Sequence, residues 1–151
     1  MTSESLVRMA SPADEAGILR LCKLLHEENG LFPMDDDLVE ETVRNGIAQN
    51  GGVIGLIGPP DALEGIIYLS ISHFWYSRKP HLEELFNFVH PDFRRSSHAK
   101  ALIDFAKSCT SGNIRLVIGV VSNERTEAKV RLYERRLGKP AGAFFVYPTA
   151  N

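Results

Sequence analysis

The stretch from Leu82 to Cys109, LEELFNFVHPDFRRSSHAKALIDFAKSC, constrains the fold most, because its periodicity changes at a single proline. Before Pro91 it reads as a strand. Leu85 to Val89 is apolar and aromatic, and proline cannot donate to the ladder that would continue it. After the turn it reads as a helix, with Leu102, Phe105, Ala106 and Cys109 at i, i+3, i+4 and i+7 on one stripe. Ser96 or Ser97 can cap its first turn, and Gly112 lies where a C-terminal glycine belongs. The turn itself is basic. Arg94, Arg95, His98 and Lys100 crowd a helix start that already presents unpaired N–H groups and a partial positive charge. Helix starts ordinarily carry Asp or Glu there. Such crowding fits a bound anion, phosphate above all, or a solvated basic turn, and the charges alone leave both open.

The segments around this unit can be ordered by the same rules. Leu6 to Ala10 is a short strand, and Ser11-Pro12-Ala13-Asp14 starts a helix with a capping serine and a proline in its first turn. Ile18, Leu21, Cys22 and Leu25 form its inner stripe, and Gly30 ends it. Asp35 to Asp37 open a second helix with Val39, Val43 and Ile47 inward. GGVIGLIG and LEGIIYLSISHFWYS form a hairpin around GPPD, with Ile67, Leu69 and Ile71 alternating. His73, Phe74, Trp75 and Tyr76 read as aromatics at the edge of the core. Ile114 to Val121, IRLVIGVV, is apolar without alternation, as in a strand covered on both faces. Following a strand and a helix, it predicts a crossover whose two strands run parallel. A last helix starts near Asn123 to Thr126, presents Val130, Tyr133 and Leu137 on one face, and ends at Gly138. Ala143 to Tyr147 is a final strand.

Composition excludes several classes. One domain, residues 1–151, is long enough to bury a core without staples. Hydrophobic content of 44% with a net charge of −2 gives no basic field for nucleic acid. The two cysteines, Cys22 and Cys109, fall on apolar helix faces and read as buried free thiols. No paired Cys/His spacing suggests a metal, and no apolar run approaches a membrane span. The start MTSESLVRMA does not read as a leader, so the expected location is cytoplasmic.

VHPDFRRSSHAKALIDFAK resembles the cofactor-binding segment of the GCN5-related N-acetyltransferase (GNAT) superfamily, whose pattern is Q/R-x-x-G-x-G/A between a strand and a helix. Arg94 opens the pattern and Ala99 closes it, while Ser97 stands where the family usually has glycine. SNERTEAKVRLYERRLG is similar to the family's N-x-x-A-x-x-L-Y-E-K-x-G, with Asn123 and Tyr133 three residues farther apart than is common. The element order β-α-α-β-β-β-α-β-α-β matches as well. The resemblance implies an α/β GNAT fold, a mixed sheet of about six to seven strands flanked by four helices.

The same resemblance implies an acyltransferase that moves the acetyl group of acetyl-coenzyme A directly to an amine, with no metal. In this family two parallel strands splay at a bulge to admit the pantetheine arm. Phe88 and Val89 would supply backbone groups to that arm, and Arg94, Arg95, Ser96, Ser97, His98 and Ala99 would hold the pyrophosphate. Asn123 would reach the pantetheine amides or serve as a plain helix cap. Tyr133 resembles the family's general acid, and Glu83 stands where some members carry a catalytic glutamate. Glu84 falls on the other strand face, and one bulge would exchange the two. The acceptor pocket would draw on Gly30 to Asp37 and Trp75 to Pro80. The partners implied are an amine-bearing acceptor and, left open, a second copy of the chain, with neither nucleic acid nor membrane. The alternative is a GNAT-fold module that binds an acyl-coenzyme A or a partner protein with weak or no catalysis. Ser97 and the lengthened Asn123–Tyr133 spacing favour it.

Overall fold

The computed structural model describes residues 6–122 and 125–149. The chain opens with strand β1, Arg8–Met9, which pairs antiparallel with β2, Gly52–Ile57. Between them lie a 3-10 turn, Pro12–Asp14, and helices α1, Glu15–Asn29, and α2, Asp36–Ile47. Strands β3, Gly65–Ser72, and β4, His81–Val89, continue the antiparallel sheet. Helix α3, His98–Ser108, then leads to β5, Leu116–Val117, and α4, Thr126–Leu137. The five strands lie side by side in sequence order, and β4–β5 is the parallel pair that the crossover predicts.

Helices cover both faces of the sheet. The α1–α2 face buries Ile18, Leu21 and Val43 against Ile54, Leu56, Ile66 and Tyr68. The α3 face buries Leu102 and Ala106 against Ile57, Ile67 and Leu69. The middle of β3 is therefore apolar on both faces rather than alternating, and Ile71 near its end is 62% exposed. Cys22 is packed in the first layer and unpaired, and burial pushes its thiol up to about 11.

The first turn of the chain is locked by a buried carboxylate. Asp14 has no solvent exposure, and both its oxygens take hydrogen bonds from the Arg8 guanidinium, at 2.8 and 3.0 Å. Arg8 Nη2 also donates to the Gly58 carbonyl at 2.8 Å, which ties β1 to the β2–β3 turn. Ser11 and Asp14 complete a capping box at the start of the first helical segment.

Four expectations are corrected. The covered strand at Ile114–Val121 is regular only at Leu116–Val117 and only half-buried, because β4 and the chain after Val117 diverge. Ala143–Tyr147 forms no strand: Phe145 and Tyr147 are 93% and 96% exposed, and the segment pairs with none of the five described strands. The sheet accordingly has five described strands, fewer than expected. Trp75 is 91% exposed and stacks edge-on against Tyr76 rather than entering the core. Helix α3 ends at Ser108 and is capped by Cys109, three residues before Gly112, whereas α4 is capped by Gly138 with φ +100°, a conformation that glycine adopts at little cost.

Replacing Arg8 with Met leaves a buried charge unpaired. Arg8 is itself partly exposed, so the expected loss is at the low end for such an orphan, about 3 kcal/mol in urea unfolding at neutral pH. The Arg8 hydrogen bonds, opposed by burial, hold the Asp14 carboxyl below its usual range. Its stabilisation is present above that range and is lost as pH falls. The deficit of the variant should therefore shrink in acid, and a deficit independent of pH would contradict the assignment.

Candidate active site

The site is created by one surplus residue in β4. Tyr68 pairs with Phe86 and Leu69 with Glu84, so Leu85 has no partner on β3. It is half exposed at 47%, as the extra residue of a bulge should be. Below the bulge, Leu82 and Glu83 pair with Leu116 and Val117 of β5. Above it, β4 has no regular partner on that side among the described residues. His90 N–H donates to the Glu64 carbonyl on the β3 side. Alternation along an antiparallel pair then turns the backbone groups of Phe88 toward β3 and those of Asn87 and Val89 to the open edge. The bulge also changes faces. Glu84 shares a face with Asn87, opposite Leu69 and Ile67, while Glu83 shares the other with Phe86 and Phe88.

Two cavities flank the open edge. The smaller, about 110 Å³, lies between the end of β4, the start of α3 and α4, and is lined by Val89, Arg94, Ala99 and Arg125 among others. The larger, about 550 Å³, runs from Asn29 past Glu83 and Glu84 to residues 117–121 and Phe144. Asn87, Lys129 and Tyr133 line both.

These shared residues form a connected polar cluster. Asn87 Nδ2 donates to the Tyr133 hydroxyl oxygen at 2.6 Å, which leaves the phenol proton available to another acceptor. Burial, reinforced by the Glu84 charge, pushes the Tyr133 phenol up to about 12, so it keeps its proton throughout the neutral range. Burial likewise pushes the Glu84 carboxyl up to about 8, against Lys129 and an Asn87 hydrogen bond, which pull it down. Glu84 Oε2 is sealed from solvent with no hydrogen-bond partner. Burial lowers the Lys129 ammonium, although Glu28 and Glu84 both favour its charge.

The basic turn is only partly open to an anion. Arg94 Nη2 bonds Glu28 Oε2 at 2.5 Å, Nε donates to the Val89 carbonyl at 3.3 Å, and the guanidinium lies 5.4 Å from the centre of the Phe88 ring. Arg95, Ser96 and Ser97 are exposed. Ser97 is the residue before α3, with φ −88°, so the backbone there does not require glycine. The Ser96 hydroxyl, which bonds the Phe93 carbonyl, accepts from the His98 N–H at 3.2 Å. His98 is turned away from the cavities. Its Nε2 is 2.8 Å from Glu64 Oε1, and its ring stacks on Phe93. Asn123 lies outside the described residues.

Sequence reasoning missed Glu28, Asn87, Arg125 and Lys129. Asn87 gave one signal, a lone amide amid the apolar LFNFV. The other three look like ordinary helix-surface charges until tertiary packing brings them to the edge of β4.

No protein-family model matches the chain, and no curated protein matches it in sequence. Its fold matches solved structures over nearly its full length. A possible acetyltransferase from Clostridium difficile 630 superposes with a TM-score of 0.71 at 18% identity, covering 95% of this chain and 96% of that one. The structure of AAC(6')-Iy in complex with a bisubstrate analogue, CoA-S-monomethyl-acetylneamine, gives 0.70 at 17% identity, with coverage of 95% and 96%. A GNAT family acetyltransferase of Staphylococcus aureus gives 0.62 at 14%, again covering 95% and 96%. The chain has the GNAT fold. Splaying of two parallel strands at a bulge, expected from the resemblance, is what opens the cleft here. Among the described residues no His, Cys, Asp and Glu group could hold a metal, and no helix is long and apolar enough to cross a membrane.

The Glu84 carboxyl supplies a test that needs no substrate. Its folded value, about 8, is raised above the usual 4.5, so the folded protein holds this proton more tightly than the unfolded chain. The stability tied to it is complete below about 4.5, declines as pH rises and is gone above about 8. Urea midpoints of wild type and Glu84→Gln should converge in acid and separate in alkali, with the variant the more stable there. Parallel curves across that window would contradict burial of the carboxyl.

Proposed function

We propose that the chain is an acetyl-coenzyme A-dependent N-acetyltransferase that passes the acetyl group directly to an amine of a small molecule or protein. The observation that carries this reading is the bare edge of β4 beyond Leu85, with a cation-lined cavity on one side and a glutamate-lined one on the other. The solved neighbours of the same fold support it, one of them holding a coenzyme A bisubstrate analogue.

The residues present fit the cofactor. The open backbone groups of Asn87 and Val89 can pair with an amide-bearing arm as though it were a strand. Arg94, Arg95 and Arg125, with the turn from Ser96 to Ala99, offer charge and N–H donors to a diphosphate. Arg94 exchanges its bond to Glu28 for a phosphate oxygen, and its stacking on Phe88 keeps it in place. Asn123 is assigned to the amides of the arm. When bound, acetyl-coenzyme A supplies a thioester carbonyl open to attack and a thiol leaving group.

On the acceptor side, Glu83 and Glu84 suit an amine arriving as an ammonium ion. Glu84, ionised above about pH 8, takes the proton that the amine loses, and Glu83 serves to attract the cation. Tyr133 stays protonated and donates to the developing thiolate.

Cofactor binding is tested by calorimetry on the Arg94→Ala, Arg95→Ala double variant. Loss of two charge-assisted contacts, one offset by the broken Glu28 pair, should weaken acetyl-coenzyme A by at least about tenfold. Unchanged affinity would remove the basic turn from the site.

Catalysis is tested by Tyr133→Phe, which keeps the ring and its packing. Turnover of an accepted amine should fall ~10²–10⁴-fold with cofactor affinity little changed. Normal turnover would reduce Tyr133 to a packing residue. Cofactor binding without turnover on a broad panel of amines would instead favour the non-catalytic module.

A further inference from the structure

The chain has six lysines, Lys23, Lys79, Lys100, Lys107, Lys129 and Lys139, and five of them are exposed. Lys129 is the exception. It sits in the first turn of α4, half-buried, and lines both cavities where they meet. Tyr133 is one turn further along the same helix face, and Asn87 holds the phenol from the facing strand. The two other residues common to both cavities thus carry an available hydroxyl proton and the open backbone edge. An amine there meets the requirements for an acyl acceptor: it shares the junction with a proton donor for the leaving group and lies within electrostatic reach of the Glu84 carboxyl.

We propose that Lys129 is an acetyl acceptor within the chain's own cleft, modified by the acetyl-coenzyme A bound there without any added amine. This rests on the functional reading above. The Lys129 Nζ, as free amine, attacks the thioester carbonyl carbon. A C–N bond forms, the C–S bond breaks, and the sulfur leaves with the bonding pair. The attacking nitrogen gives up one proton, which the cluster of Glu84 and Tyr133 passes to the thiolate. Amine and thioester become amide and thiol, with no oxidant, reductant or further reactant. Burial, the largest influence on this ammonium, favours the free amine, as do Arg125 and Arg94, while Glu28 and Glu84 oppose them. The acetamide that results removes a cation from the smaller cavity and fills the junction, so the modification stops at one group per chain.

The experiment incubates the full chain with acetyl-coenzyme A and no acceptor, following intact mass and the position of the label by peptide mass spectrometry. Calorimetry with coenzyme A runs in parallel. One acetyl group is expected on Lys129, at a rate constant unchanged on dilution and roughly tenfold or more above any exposed lysine, as proximity requires. Lys129→Arg should abolish that label and Lys107→Arg should not. Label spread over the exposed lysines, or a rate that rises with protein concentration, would overturn the proposal while coenzyme A binding left the functional reading standing. Absence of coenzyme A binding would overturn both.

Discussion

The whole cleft depends on Leu85 having no partner. A β4 in regular register would place Glu84 on the face of Phe86 and Phe88, away from Asn87. One extra residue brings Glu84 and Asn87 to a common face, opposite Ile67 and Leu69, and coincides with the end of pairing to β5. Among the described residues, the backbone edge that this frees has no strand partner beyond Leu85. Edges of this kind invite an added strand, and here the edge borders the two cavities.

Charge in the cleft is arranged as a balance that a ligand can disturb. Arg94 is held by Glu28, Tyr133 by Asn87, and Glu84 lies within electrostatic reach of Lys129. In a low-dielectric site each partner alters its neighbour, which is why the Glu84 charge raises the Tyr133 phenol while Lys129 lowers the Glu84 carboxyl. An anion at the basic turn competes with Glu28 for Arg94.

Stability rests elsewhere. The Arg8–Asp14 pair and most of the two apolar layers lie around β1, β2 and β3, with Phe88 reaching in from β4. The sheet is therefore held from one side while its other side remains open. A protein that buries a carboxyl with an unpartnered oxygen incurs a desolvation cost, and the packed half of the sheet is where that cost is offset.

Much of the fold was legible in the chain because helix stripes and strand runs record which side chains need burial. The inner faces of α1 and α2, the capped start at Ser11, the β4–turn–α3 unit and the parallel β4–β5 pair all followed from spacing and breakers. The basic turn and the tyrosine of α4 were visible as residue types in order. What spacing cannot report is which neighbour is present. AFFVY has the composition of a strand but pairs with none of the described strands, and Trp75 has the composition of a core residue but sits on a connection between strands. Nor could the sequence choose between Glu83 and Glu84, since a single bulge exchanges their faces and leaves no local signature. Glu28, Arg125 and Lys129 came to the site only through packing, because their neighbours are distant in sequence and their surroundings, not their identities, set their chemistry.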